Sequence, residues 1–369
     1  MKSMPTATHR YPNGWFPVAC GDEVTPGRIF TGRLAGEDVV VYRTRRGRLR
    51  AVHPYCPHLG AHLGHGGRVD GETIVCPFHG FSFGPAGNCV RTPYGQPPPR
   101  ASLTHVPVIE ANGLVFAWHH ESGAAPTWEP VTLPSEGFTK PTTFQITSAG
   151  HPHDLVENLI DVGHFGPVHN TKINLVSTVP EGPFVKVVVD LSGVEELGFF
   201  KERGLHRLGS LKEVRGQAEF TCSGVGIVSS LVSVPELGVQ LAQVAALTPE
   251  DPGRMRLRLT TSTRIESRMG AALAPALSLL VRFITKRQVK QDYEIWANRR
   301  PVERPKIATG DGPIMLIRRW AQQFYESADA EAGNTPERAG TRRAAAATIT
   351  STGSNGRARH DAPAARNER

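Results

Sequence analysis

The sequence predicts an α+β protein made of two successive units. An all-β N-terminal unit comes first, then an antiparallel sheet that holds a long C-terminal helix. Three observations carry this. Short β-branched runs separated by Gly and Pro turns fill the N-terminal part. Longer strand-like runs recur between residues 142 and 263. A helical stretch from about Arg268 to Asn298 follows them.

In order, Val39–Tyr42 is a β-branched run, and an Arg46-Gly47 turn leads to Leu49–Val52. Thr73–Val75 and Leu114–Trp118 are alike, and their spacing fits a small antiparallel sandwich or barrel over residues 11–123. Tyr94 to Arg100 (YGQPPPR) is an irregular crossing. Ala124 to Pro141 is Pro-rich and polar, a connection into a second unit over 124–326. Thr142–Ser148 opens it as a strand. Asp154–Phe165 reads as a helix, with Leu155, Leu159 and Val162 at helical spacing, and Gly166-Pro167 should end it. Strands follow over Phe184–Leu191, Gly216–Cys222, Gly226–Val234, Val239–Leu247 and Arg254–Thr263. The long helix contains Pro275, a candidate kink point, and a short helix covers Ile314–Tyr325. A curved antiparallel sheet gripping the long helix is the natural packing. Residues 327–369 are rich in Ala, Arg, Gly, Thr and Ser, and a disordered basic tail is expected there.

Composition narrows the function. With 39% apolar and 21% charged residues in 369, the chain can build a packed core. The net charge is +8, but residues 330–369 hold seven Arg against four acidic residues. No basic patch with interleaved aromatics appears elsewhere, so a nucleic-acid partner is not expected. No apolar run of about 18 residues suggests a transmembrane segment. The N-terminus lacks a signal-peptide core, and five Cys then point to a reducing, cytoplasmic setting.

The strongest motif is Cys56-Pro57-His58, then 17 residues, then Cys76-Pro77-Phe78-His79. Each arm offers one thiolate and one imidazole and runs into a Gly-rich turn. Two Cys and two His could hold tetrahedral zinc. They could equally hold a [2Fe–2S] cluster, with both Cys on one iron and both His on the other. Zinc fingers usually pair like with like, whereas here Cys and His alternate within each arm. C-P-H at 56–58 and C-P-F-H-G at 76–80 closely resemble the two ligand boxes of the Rieske iron–sulfur family. Phe81 stands where many members carry Trp, which is not a ligand position. His53, His62 and His65 read as loop histidines, and Cys20, Cys89 and Cys222 as buried small side chains.

The segment 151–170, HPHDLVENLIDVGHFGPVHN, is the second constellation. Asn158, Asp161 and His164 are spaced i, i+3, i+6 and would share one helix face. His169 would point about 140° away on an unbroken helix, so the break at Gly166-Pro167 must bring the imidazoles together. Two His and one carboxylate leave positions open on an iron for dioxygen. On chemistry alone the carboxylate could be Asp292, Asp154 or Glu157.

A Rieske box followed by N-x₂-D-x₂-H-x₄-H resembles the Rieske non-haem iron oxygenases over residues from about 11 to 326. The resemblance implies a Rieske domain followed by a helix-grip, START-like catalytic domain. It implies that His164 and His169 bind one mononuclear Fe(II), with Asp292 of QDYEIW as the carboxylate. Glu294 would point to another helix face. Asp161 would link the iron site to a Rieske His of a neighbouring subunit in a homotrimer, with Asn158 beside it as a further catalytic residue. Residues 291–300 (QDYEIWANRR) and 311–325 (DGPIMLIRRWAQQFY) resemble the branch of 3-ketosteroid 9α-hydroxylase oxygenases and cholesterol 7-desaturases. That branch implies a terminal oxygenase component using O2 and electrons from NAD(P)H through a separate reductase, a ferredoxin, or both. It favours hydroxylation or desaturation of a bulky apolar substrate, a steroid or terpenoid. Ile227–Val234, Val239–Leu247 and Ala271–Val281 are candidates to line its pocket. No G-x-G-x-x-G lies between a strand and a helix, so nicotinamide should bind elsewhere. Alternative functions are an oxygenase of aromatic compounds, a Rieske electron-transfer protein without oxygenase activity, and a zinc-stabilised binding protein.

Overall fold

The computed structural model describes residues 11–169, 173–192, 215–300, 302 and 304–325. The expected tail, 327–369, lies outside the described residues. Ten short strands make the N-terminal unit: β1 (Gly14–Cys20), β2 (Ile29–Leu34), β3 (Glu37–Arg43), β4 (Leu49–Val52), β5 (Arg68–Asp70), β6 (Thr73–Val75), β7 (Ser82–Phe83), β8 (Cys89–Arg91), β9 (Val108–Ala111) and β10 (Leu114–His119). They pair antiparallel in three small sheets, β1–β10–β9, β2–β3–β4 and β5–β6–β7–β8. Val18, Val41 and Val115 centre one apolar cluster between them. Tyr42, Leu63, Ile74 and Phe83 centre another, directly beneath Cys56 and Cys76.

Among the described residues, the second unit is one seven-stranded antiparallel sheet with four α-helices. In chain order these are β11 (Thr142–Ala149), α1 (His153–Ile160), α2 (Phe165–His169), β12 (Asn174–Glu181), β13 (Phe184–Ser192), β14 (Arg215–Ser223), β15 (Ile227–Val234), β16 (Val239–Asp251), β17 (Arg254–Ile265), α3 (Arg268–Asn298) and α4 (Ile314–Ala321). The sheet order is β11–β17–β16–β15–β14–β13–β12. The first strand therefore closes on the last, Thr142 opposite Thr261 through Ala149 opposite Arg254. β12 carries Pro180, which cannot donate to a ladder, and it lies at the sheet edge where that is tolerated.

Helix α3 lays its C-terminal half across the sheet. Val289, Tyr293 and Trp296 pack on Phe144, Leu247, Met255, Leu257 and Leu259. Helices α1 and α4 share a second cluster, where Val156, Ile160, Ile317 and Trp320 meet Val185, Val187 and Val189 of β13. Each such fully buried aliphatic side chain contributes roughly 1.5–3 kcal/mol.

Two expectations are corrected. The helix expected over Asp154–Phe165 breaks at Asp161 instead, which has φ −74° and ψ 85°. A 3₁₀ turn, Val162–His164, follows, and Gly166-Pro167 fall inside α2 rather than ending a helix. Proline is acceptable there because the first turn of a helix needs no amide donor. Asn158, Asp161 and His164 therefore do not share one continuous helix face. Second, Ala271–Val281 is exposed over most of its length rather than enclosed. Leu273, Leu279 and Leu280 face solvent, and only Ala274 and Ser278 are buried in that stretch. Ser278 donates to Thr263 Oγ1 at 2.7 Å and pins the helix to β17.

The Pro-rich connection joins the two units through Trp128. Its carbonyl accepts from Trp15 Nε1 at 2.6 Å, and its ring packs edge-on against Trp118, Phe184 and Phe324. Trp15, Phe116 and Trp118 continue this contact onto Ile227, Val244 and Ala246 of the large sheet.

Candidate metal centres

The β4–β5 and β6–β7 connections carry the two Cys/His boxes, and they fold alike. Cys56 N donates to Ala61 O at 2.9 Å, and Gly60 N donates to Cys56 O at 2.9 Å. The second loop repeats this, Cys76 N to Phe81 O at 2.8 Å and Gly80 N to Cys76 O at 3.1 Å. Gly60 and Gly80 hold φ of +74° and +68°, which an L side chain adopts only with strain. The repeated turn buries each thiol and leaves each imidazole at the surface. Cys56 and Cys76 are both 2% exposed, and the His58 and His79 rings lie 4.7 Å apart. Phe81 stacks on His58 at 4.3 Å with the planes 9° apart. Burial pushes the Cys56 thiol up to about 11, so a bound cation is what would stabilise a thiolate there.

Among the described residues, three or more His, Cys, Asp or Glu ligand atoms gather within 4.8 Å in only two places, and neither includes these loops. Two buried thiols with two imidazoles side by side above them fit a cluster carrying both Cys on one iron and both His on the other.

The first of the two gatherings is Asp38, His62 and His65. His62 Nδ1 accepts from Gly64 N at 3.1 Å, so the ring proton is on Nε2, which donates to Asp38 Oδ2 at 3.2 Å. Arg33 also binds Asp38 at 3.0 Å. A hydrogen bond from His62 and an ion pair with Arg33 already occupy this carboxylate.

The second gathering is His164, His169 and Asp292. The break at Asp161 turns the chain so that His164 Nδ1 lies 2.5 Å from the Asp161 carbonyl. A carbonyl only accepts, so Nδ1 holds the proton and Nε2 keeps its lone pair. His169 Nδ1 lies 3.2 Å from Gln291 Oε1, which fixes the same tautomer. Both Nε2 atoms turn toward Asp292 Oδ1, at 3.9 Å from His164 and 3.0 Å from His169. Asp292 and His169 are buried at 6% and 9% exposure. His164 Nε2 and Asp292 Oδ1 are buried without any hydrogen-bond partner. Two imidazole nitrogens and a buried carboxylate oxygen converging on one point, with His164 Nε2 and Asp292 Oδ1 unpartnered, fit a divalent iron.

Family models match nearly the whole described chain. Residues 14–110 match the Rieske [2Fe-2S] domain, and residues 117–325 match the 3-ketosteroid 9α-hydroxylase C-terminal domain. The chain belongs to the Rieske non-haem iron oxygenases. It is 30% identical to a cholesterol 7-desaturase of Xenopus laevis over 86% of this chain and 72% of that one. It is 24% identical to the oxygenase component of a 3-ketosteroid 9α-monooxygenase of Rhodococcus rhodochrous, over 86% of this chain and 84% of that one. Dicamba monooxygenase bound to dicamba shares the fold, with a TM-score of 0.67 at 18% identity over 88% of this chain and 99% of that one. As a Rieske oxygenase component, the protein is an oxidoreductase that uses a [2Fe–2S] cluster and a non-haem iron, and it takes electrons from a separate reductase or ferredoxin.

In this oxygenase the remaining expected residues are placed as follows. Asp161 directs its main-chain oxygen, not its carboxylate, to the His164 ring; carboxylate Oδ2 stays 3.8 Å away and is 37% exposed. Burial alone would raise the Asp161 carboxyl, but hydrogen bonds and charge from His164 hold it below its usual range. Asn158 sits in the last turn of α1, half-buried. Glu294, unlike its neighbour Asp292, is exposed. Asp154 and Glu157, the other candidate carboxylates, are engaged elsewhere. Glu157 binds Arg318 through two bonds of 2.8 and 3.0 Å, and Asp154 pairs with Arg299. These pairs brace α1 against α4 and the end of α3. Sequence reasoning missed Gln291 as the partner of His169. Its only signal was its place beside Asp292. No described helix is long and apolar enough to cross a membrane.

Proposed function

We propose that this oxygenase oxidises a steroid-sized apolar substrate by hydroxylation or desaturation, with His164, His169 and Asp292 holding its iron. Cys56, His58, Cys76 and His79 hold the cluster, within an N-terminal domain over 11–123 and a catalytic domain over 124–326. The observation that carries the iron assignment is the pair of imidazoles fixed with Nε2 toward one buried carboxylate oxygen. Support for the substrate class comes from the C-terminal domain match and from the sterol-acting relatives.

Iron bound there supplies dioxygen activation, and the cluster supplies electrons one at a time. The chain's own residues set the conditions. The Asp161 carbonyl and Gln291 keep both imidazoles deprotonated at Nε2. Asp292 contributes the single negative charge. Phe165 packs against both rings, at 4.3 and 5.5 Å, and gives the site an apolar wall that excludes water. Asn158, in the last turn of α1 one helical turn before Asp161, is the further catalytic candidate. NAD(P)H is the electron source, consumed by the partner reductase.

The working unit is a homotrimer. Tyr55, Leu59, Phe78 and Tyr94 are 56–65% exposed around the two cluster imidazoles, an apolar rim suited to a neighbouring copy. The half-exposed carboxylate of Asp161 is then the group that meets that copy's cluster histidine. Cys20, Cys89 and Cys222, outside the cluster, are buried singly, which suits the reducing, cytoplasmic setting proposed for the protein.

The experiment is turnover with a surrogate reductase against 3-ketosteroids, sterols, terpenoids and aromatic acids, read by mass spectrometry. Products gaining one oxygen or losing two hydrogens from the steroid set are expected. Turnover confined to aromatic acids would refute the substrate class.

A further inference from the structure

The N-terminal half of α3 carries an apolar face that points to solvent. Leu273, Leu279, Leu280 and Phe283 are 64%, 50%, 41% and 54% exposed. Ala272 and Ala276 are exposed beside them. At about 100° per residue these six fall within an arc of roughly 120° on the helix. The tip of the β15–β16 hairpin adds Leu237, which is 47% exposed. That tip is tied to the entry of α3 by a 2.9 Å bond from Glu266 N to Gly238 O.

Farther along the helix the same face becomes basic. Lys286, Arg287 and Lys290 are exposed there, and Arg282 flanks them. Residues 268–291 contain no Asp or Glu. An apolar arc running into a cationic one, with no anion between, matches one kind of partner. Acyl chains take the leucines and phenylalanine, and anionic head groups take the ammonium groups. The helix is not apolar enough to cross a bilayer, so it would lie in the surface layer. A second copy is a poor occupant. Two such faces in parallel would set cations against cations, and antiparallel would set cations against leucines.

We propose that this face docks the oxygenase on a membrane surface containing anionic phospholipid. Leu273, Leu280 and Phe283 enter the boundary of the acyl layer, and Lys286 and Lys290 meet the phosphates. The proposal does not depend on the substrate reading, because binding is measured without turnover.

The test is sedimentation of the full-length, metal-loaded protein with vesicles of phosphatidylcholine alone or with about 30% phosphatidylglycerol. The wild type should bind the anionic vesicles, and added salt should weaken binding. K286Q/K290Q should lower partitioning roughly 30-fold on anionic vesicles and little on neutral ones. L280E/F283E should lower it at least about tenfold on either, with an unchanged melting temperature. No vesicle binding by the wild type, or equal binding by both variants, overturns the proposal. So does a change in oligomer mass, which makes the face a subunit contact, or a lower melting temperature in L280E/F283E, which means the chain itself covers it.

Discussion

Gly312 offers a test of how the iron site is positioned from a distance. It holds φ +80° and lies against the end of α1. A β-carbon there would stand 2.0 Å from the Ile160 carbonyl oxygen and 3.2 Å from its carbon. Favourable contacts between heavy atoms need about 3.5 Å, so Gly312→Ala must push the two segments apart by more than about 1 Å. The piece that moves is the Ile160–Asp161 peptide, whose next carbonyl holds His164 Nδ1. The left-handed backbone adds about 1–2 kcal/mol, and the overpacking about 1–3 kcal/mol. Gly310 separates the two, since it has φ +107° and open space around its would-be β-carbon. At roughly 2–4 °C per kcal/mol, Gly310→Ala should lower Tm by a few degrees and Gly312→Ala by about 5–15 °C. Iron affinity, read by chelator competition, should fall about 10–100-fold in Gly312→Ala only. The Rieske spectrum serves as the internal control and should stay normal in both. Equal Tm losses with wild-type iron affinity would refute the claim that this contact sets the ligand.

Other outcomes follow from the same geometry. Asp292→Ala should strip the mononuclear iron and spare the cluster, whereas Glu294→Ala should do neither, as metal analysis of the purified variants will show. His79→Ala should lose the Rieske electron paramagnetic resonance signal while circular dichroism stays native. Asp161→Ala keeps His164 on the main-chain carbonyl, so both metals should remain and turnover should fall by orders of magnitude. Mixed trimers with Cys56→Ala should regain part of that activity. Burial would raise the Glu157 carboxyl, but the Arg318 guanidinium holds it below its usual value of 4.5. The stability it contributes is therefore complete above that value and lost as pH falls through its lowered folded value. Acid titration of Tm should show this loss in the wild type and not in Glu157→Gln, which should also be less stable by about 3–5 kcal/mol at neutral pH.

Much of this was legible in the sequence because the chemistry is local. Cys56 to His58 and Cys76 to His79 lie within single turns, so each box can be read without a fold. The long helix and the strands from Phe184 to Ile265 followed from periodicity. The break at Asp161 did not, because Leu159, Ile160 and Val162 continue an apolar pattern across it. Part of what breaks the helix there is long-range, the 310–312 loop packing on Ile160; the rest is a contact of the His164 ring with the Asp161 carbonyl that no apolar periodicity reveals. The site's other hidden partner, Gln291, is 122 residues from His169, and nothing local marks an amide as an imidazole's acceptor. Ala271–Val281 misled for a different reason. Apolar content marks a segment that avoids water, but it does not say whether protein or something else provides the shelter.

The contacts around Trp128 carry a kinetic consequence. Trp128 is wedged between both units, and Arg258 crosses the same seam to hold Pro17 O at 2.6 Å and Val18 O at 3.0 Å. A seam clamped at both ends has no hinge. The cluster loops therefore keep a fixed place relative to the catalytic unit of their own chain, so in the proposed trimer the gap between one copy's cluster and its neighbour's iron is set by the subunit contact alone. Electron delivery should then be insensitive to solvent viscosity, and its rate should be governed by driving force and by which side chains fill the gap. Trp128→Ala would introduce the missing play, and with it a viscosity dependence that the intact protein lacks.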